Sequence, residues 1–457
     1  MSESHGTAHG EAAAWGSSTR QVHAGFTAGV AQNTAVVPIY QSSAYEFESF
    51  QAAADIFALR TPGNLYSRTG NPTSAALERR IAALDGGVAA LATASGQSAV
   101  AIALLALVRT GQHIVAADQL YGGSVDLLGD TFADFGIDVT FVDARDAAAW
   151  EAAVRPETRA FFVESIGNPT ALIPDLDGIA AVANSRDIPL VVDNTIATPY
   201  LFRPLDFGAD IVVYSATKFL GGHGNSLAGL IVDGGRFDFG ARAERWPQFT
   251  SASERFGGIV FWERFGAAGS AYLAYAKAKL SHDLGPSLSP FNAFQILQGI
   301  ETLDIRVRKQ TDSALEVARF LAAHPGVAAV HHPLVAAASG PFEKIEGDPD
   351  AKRAERYFPL GVGSVFSFNL TGAEESVAPF IDSLQLFALV ANIGDVRSLV
   401  VHPATTTHSR LTPAQRERAG ISLTTIRLSV GLEDPADLTA DLAQALARVA
   451  TRTEALA

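Results

Sequence analysis

Between residues 88 and 233, seven short apolar runs rich in β-branched residues alternate with Ala/Leu-rich windows of helical length, and this alternation leaves few folds open. The runs are VAALATAS, QHIVAAD, DVTFVD, RAFFVES, PLVVDNT, DIVVYSA and LAGLIVD. They read as buried strands, and windows at 98–108, 146–154 and 176–185 read as the helices between them. This is the pattern of βαβ units, and it predicts an α/β fold with a mostly parallel sheet flanked by helices. In such sheets ligands collect beyond the carboxyl ends of the strands, so the residues just after each run carry the functional information.

The flanks read differently. Residues 1–20 have neither the basic start nor the apolar stretch of a signal peptide and are expected to form a mobile tail. Residues 21–72, with Pro, Asn and aromatics but little periodicity, predict an extended arm of the kind that packs on a partner subunit. After about 300, DSALEVARFLAAH, SVFSFNL, SVAPFIDSL, TTIRLSVGL and a last amphipathic window predict a smaller α/β domain. The expected organisation is thus tail and arm over 1–72, a ligand-binding domain over 73–300 and a C-terminal domain over 301–457. A net charge of −14 argues against nucleic acid and anionic membranes as partners. The longest apolar run, AVAIALLALV, is too short to span a bilayer. There is no cysteine, which removes disulfides, thiolate metal sites and a Cys nucleophile, and fits a reducing cytoplasm.

Four strand ends carry groups that make sense together. Ser95, Gly96 and Gln97 stand where a strand meets a helix, and free amides at the positive end of a helix dipole suit a phosphate, although small residues there also serve plain turns. Asp193 ends a buried strand, where a carboxylate needs a cation, a protonated ring nitrogen or a capping role. Lys218 lies one strand further on, after Ser215 and Thr217, whose hydroxyls can extend the phosphate cradle. Tyr121 offers a flat ring for stacking or for simple packing. Taken jointly, an anion cradle, a buried carboxylate, a lysine and a stacking ring are what pyridoxal 5′-phosphate (PLP) requires. His402 and His408 lack a third ligand at suitable spacing, so no metal site is expected. The phosphate-binding motif G-x-x-x-x-G-K-[ST] is absent, which removes the NTPase reading.

YSRTGNPT, SGQSA, YGGS, GNPT, VVDNT, YSATKFLGGHGN and TIRLSVGLED, in this order, resemble landmarks of the Cys/Met-metabolism family of fold-type-I PLP enzymes. The resemblance runs from about 19 to 450. It implies that Lys218 holds the cofactor covalently, Asp193 pairs with its ring nitrogen and Tyr121 stacks on the ring, with a possible acid–base role. Ser95, Gly96, Gln97, Ser215 and Thr217 would surround the phosphate, and Asn168 would lie near the cofactor's hydroxyl. Tyr66 and Arg68 are similar to arm residues that reach the phosphate of a neighbouring subunit, which implies active sites shared across dimers and a homotetramer. Arg427 is similar to the clamp for a substrate α-carboxylate, a role its planar fork suits.

Within the family, WPQFT and NIGDVRSLVVHPATTTH are most similar to the O-acetylhomoserine sulfhydrylase branch, with Asn392, Ile393 and Gly394 where synthases and lyases usually carry Ser-Leu-Gly. The implied substrates are O-acetylhomoserine and sulfide, and the implied products homocysteine and acetate. Extra sequence at 236–275 also sets the chain apart, and SASERFGG (251–258) departs from the expected Pro-Asp-x-x-Tyr-His-Gly-like stretch. An O-succinylhomoserine sulfhydrylase, a cystathionine γ-synthase, a γ-lyase and a non-catalytic PLP-binding protein are the alternatives, the last opposed by the intact Lys218, Asp193 and Arg427.

Overall fold

The computed structural model describes residues 15–30, 32–335 and 349–456. Its main sheet comprises β1 (Ala89–Thr93), β2 (His113–Ala117), β3 (Asp138–Val142), β4 (Thr158–Glu164), β5 (Leu190–Asp193), β6 (Ile211–Ser215) and β7 (Gly229–Asp233). All seven sequence runs therefore form strands. In space they are ordered β1-β7-β6-β5-β4-β2-β3. The pairs among β2 to β6 are parallel, whereas β7 runs antiparallel to both β1 and β6. The reason is in the connection. A parallel return needs a crossover of a dozen or more residues, usually helical, and the glycine-rich stretch after Lys218 holds no helix.

Central strands are buried on both faces, β2 and β7 at every residue, as expected of a sheet sandwiched between helices. The predicted helical windows appear as Gly96–Leu105, Ala147–Ala152 and Leu176–Ser185. Sequence chemistry sets the helix ends. Pro72–Asp85 opens with Asn71 as cap and proline in its first turn, and closes at Gly86, whose φ of +78° is a left-handed conformation that glycine adopts freely.

The segment 236–275 builds an aromatic cluster in which Phe239, Trp246, Phe249, Phe261 and Tyr272 are buried. It braces the C-terminal end of the helix Gly96–Leu105: the Tyr272 hydroxyl donates to the Ala103 carbonyl (2.9 Å), and Gln248 Nε2 donates to that of Ala106 (3.1 Å). The variant stretch 251–258 projects beside this cluster, with Arg255 paired to Asp283 at 2.5 and 2.6 Å.

The N-terminal tail is shorter than expected. Residues 1–14 lie outside the described residues, but Ser17–His23 forms a helix, with Arg20 Nη1 donating to the Ala83 carbonyl (2.8 Å) and Gln21 accepting from the Asp304 amide (3.2 Å). Within the arm, Phe50–Phe57 forms a helix capped by Ser49, with no buried residue and with Phe50 and Phe57 exposed. Beyond 300, a five-stranded sheet ordered β10-β11-β12-β9-β8 contains β8 (Val327–His331), β9 (Val365–Leu370), β10 (Ala388–Leu389), β11 (Leu399–Val401) and β12 (Thr425–Ser429). It is antiparallel except for β10 with β11. Its central strand β12 is wholly buried and carries Arg427.

Candidate active site

The carboxyl ends of β1, β2, β4, β5 and β6 converge on a cleft that the loop preceding β11 and the strand β12 close from the other side. Ser95, Gly96, Gln97, Tyr121, Asn168, Asp193, Ser215, Thr217, Lys218, Asn392 and Arg427 all line it. Eleven of the thirteen residues singled out in the sequence are thereby brought together. Tyr66 and Arg68 are not: they lie outside the cleft of their own chain. Arg68 Nη1 donates to the His282 carbonyl at 2.6 Å and its guanidinium sits 5.4 Å from the Tyr66 ring centroid.

Ser95 caps the helix Gly96–Leu105 in a reciprocal box with Ser98. That box directs the first helical amides, those of Gly96 and Gln97, toward the cleft without intrahelical partners. Gly96 has no room for a side chain, since a Cβ there would fall 2.5 Å from Ser215 Cβ and 2.7 Å from Ser215 Oγ. The Gln97 side chain is engaged elsewhere, donating to the Gly123 carbonyl (2.8 Å), so its backbone is what it offers. Thr217 is likewise tied to Ala228, its hydroxyl accepting from the Ala228 amide at 3.1 Å.

Lys218 Nζ donates to Asn392 Oδ1 at 2.6 Å. Burial, reinforced by the charge of Arg427, pushes this amine down to about 8. Arg427 is 3% exposed. Its Nη1 donates to Asn168 Oδ1 (3.1 Å) and its Nη2 to the Asn392 carbonyl (3.0 Å), while the buried Nε has no hydrogen-bond partner among the described residues. An unpaired buried donor on a fork already held at two corners is a ready seat for a carboxylate. Asn392 thus joins the lysine to the arginine.

Asp193 accepts from the Thr195 amide (2.9 Å), and Thr195 Oγ1 accepts from the Ser215 amide (2.8 Å). Opposite Asp193 in the register of β4 and β5 stands Glu164. Burial pushes both carboxyls above the usual carboxylate range, and for Glu164 the adjacent Asp193 adds to the effect. Glu164, together with Thr195 and Thr407, was missed in the sequence. A detectable signal existed: Glu164 ends a buried run, as Asp193 does. Of the two histidines, His402 has both ring nitrogens engaged, with Thr405 Oγ1 (2.9 Å) and the Leu423 carbonyl (3.0 Å). His408 is buried beside Thr407 (2.9 Å), and burial, then the Arg427 charge, lowers it to about 4.

These groups fit PLP. The Gly96 cradle admits a phosphate where a Cβ would block it, the raised Asp193 carboxyl suits a protonated ring nitrogen, and the Lys218 amine has no carboxylate partner among the described residues. Comparison with known proteins agrees. The chain is 44% identical over 438 residues to an O-acetyl-L-homoserine sulfhydrylase of Leptospira meyeri, covering 94% of this chain and 96% of that protein. It is 43% identical over 432 residues to the O-acetyl-L-homoserine sulfhydrylase of Corynebacterium glutamicum, covering 94% and 96%. A crystal structure from Campylobacter jejuni, described as an O-acetylhomoserine (thiol)-lyase containing a pyridoxyl-lysine monophosphate, superimposes with a TM-score of 0.88 at 34% identity, covering 94% of this chain and all of that one. Residues 18–447 match the family described as Cys/Met metabolism PLP-dependent enzyme, and the chain belongs to that family.

Proposed function

We propose that the protein is a γ-replacement enzyme that converts O-acetyl-L-homoserine and sulfide to L-homocysteine and acetate, a step of methionine biosynthesis. The observation that carries the reading is the Lys218–Asn392–Arg427 unit, which sets a low-pKa amine beside a carboxylate clamp. The names of the relatives, O-acetyl-L-homoserine sulfhydrylases at 43–44% identity, support the same substrates.

The cradle at Ser95, Gly96, Gln97, Ser215 and Thr217 would hold the cofactor's phosphate, with Lys218 as covalent anchor, Asp193 at the ring nitrogen, Asn168 near the hydroxyl and Tyr121 against the ring. When bound, PLP would supply an electron sink for negative charge developing at the substrate α-carbon. Arg427 receives the substrate α-carboxylate, and its bonds to Asn168 and Asn392 fix the direction from which the α-carbon meets Lys218. Lys218 Nζ would take the α-proton, which an amine pushed down to about 8 does far better than an ordinary lysine. Loss of a β-proton then allows acetate to depart from Cγ. Hydrosulfide bonds to the same carbon, and protons return to Cβ and Cα. Tyr121 is a candidate to pass a proton near the leaving group.

Acceptor choice follows from the charges present. Cysteine would need a second seat for its own carboxylate and amine, yet among the described residues the cations lining the cleft of one chain are Lys218 and Arg427. With O-acetylhomoserine as donor, kcat/KM for sulfide is expected to exceed that for cysteine by a wide margin. Comparable values would favour a cystathionine γ-synthase, and a preference for the succinyl ester would overturn the donor assignment.

The same reading proposes a homotetramer built from dimers in a cytoplasmic setting, with Tyr66 and Arg68 completing a neighbour's phosphate site. Arg68→Ala is then expected to weaken cofactor retention through loss of one charge-assisted contact. Mixing Arg68→Ala with Lys218→Ala protomers should restore part of the activity in hybrid sites. Demonstrated subunit exchange with no recovery would rule out sharing.

A further inference from the structure

Glu164 lines the cleft and has no part in the chemistry proposed above. Its position is specific. One carboxylate oxygen accepts from the Tyr121 amide (2.6 Å) and the other from the Asn168 amide (3.2 Å). A single side chain at the end of β4 therefore joins the loop after β2 to the loop after β4. The linkage continues, because Asn168 Oδ1 accepts from Arg427, and Glu164 faces Asp193 in the strand register. Placing a second carboxylate beside Asp193 inside a buried cleft is costly, and neither an apolar nor a neutral residue at the strand end would incur that cost. A neutral side chain, however, offers no pair of acceptors for two converging N–H groups.

We propose that Glu164 is a positioning residue that ties Tyr121, Asn168 and, through Asn168, Arg427 into one unit. The ring that Tyr121 stacks on and the carboxylate that Arg427 holds then keep a fixed relation during turnover. This inference rests on the reading of the cleft as the PLP site, so cofactor content is measured first, by release from denatured protein. Glu164→Gln keeps the shape but sets an amide NH2 against one of the two N–H donors, and Glu164→Ala removes both acceptors. Each is prepared as holoenzyme and compared with wild type by visible circular dichroism per bound cofactor and by kcat and KM for O-acetylhomoserine.

Wild-type cofactor content is expected, with visible ellipticity reduced in Glu164→Gln and reduced further in Glu164→Ala. Values of kcat/KM should fall roughly tenfold or more, as for loss of a hydrogen bond to a charged group. Unchanged ellipticity and unchanged kcat/KM, with only a lower Tm, would show that Glu164 merely braces two loops and would overturn the proposal. Absence of cofactor from wild type as well would instead sink the parent reading. Glu164→Gln, neutral and of equal size, decides alone if Glu164→Ala does not accumulate.

Discussion

Lys218→Ala is expected to lower turnover of O-acetylhomoserine by roughly 10²–10⁴-fold or more, the range for removal of a positioned base, with loss of the covalent anchor added. The protein should still hold PLP, because the phosphate cradle is built from other groups: the helix start at Gly96 and the Ser215 hydroxyl do not depend on the lysine. Bound cofactor without turnover is thus the signature. Activity within a few fold of wild type would show that the amine held by Asn392 is not the base.

Arg427→Lys is expected to weaken apparent binding of O-acetylhomoserine by about 1.5–3 kcal/mol while leaving the visible absorbance of bound cofactor unchanged. The substitution keeps the charge and loses the fork. Arg427 uses Nη1 and Nη2 to grip Asn168 and the Asn392 carbonyl, which leaves Nε as the spare donor. A lysine ammonium cannot serve both anchors and a substrate carboxylate in one plane. Steady-state KM, checked against the dissociation constant of a non-reactive amino acid, separates this effect from a loss in kcat. An unchanged KM would remove Arg427 from the substrate site.

Much of this was legible in the sequence because the site is built at strand ends. A buried strand announces itself by a continuous β-branched run, and the polar residue that follows must then face the ligand edge, which is how Asp193, Lys218 and the Ser95–Gln97 turn were found. Arg427 was harder to place from periodicity, since β12 belongs to the second sheet and reaches the cleft only through the packing of that sheet on the first. Other features left little local trace. β10 and β11 are two and three residues long, too short for any period to register. The helix Phe50–Phe57 lay in a stretch read as extended, although Ser49, whose side chain accepts from the Ala52 amide, is a helix-start signal. The direction of β7 was written in what its connection lacks, a helix. Glu164 closes a buried run as Asp193 does, and its register with Asp193 places it at the same ligand edge.

The exposed Tyr66 and the half-buried Arg68 mark the limit of a single chain. Arg68 donates to the carbonyl of His282, itself hydrogen-bonded to Asp283 (2.9 Å), which Arg255 of the variant 251–258 stretch holds. The departure from the family's pattern is therefore connected to the arm, and none of its residues lines the cleft.

Borohydride reduction of the holoenzyme followed by peptide mapping tests most directly whether Lys218 carries the cofactor. The visible band is expected to disappear and a pyridoxyl phosphate adduct to be fixed on the peptide containing Lys218. An adduct on any other lysine, or a protein that stays colourless and inactive with added PLP, would contradict it.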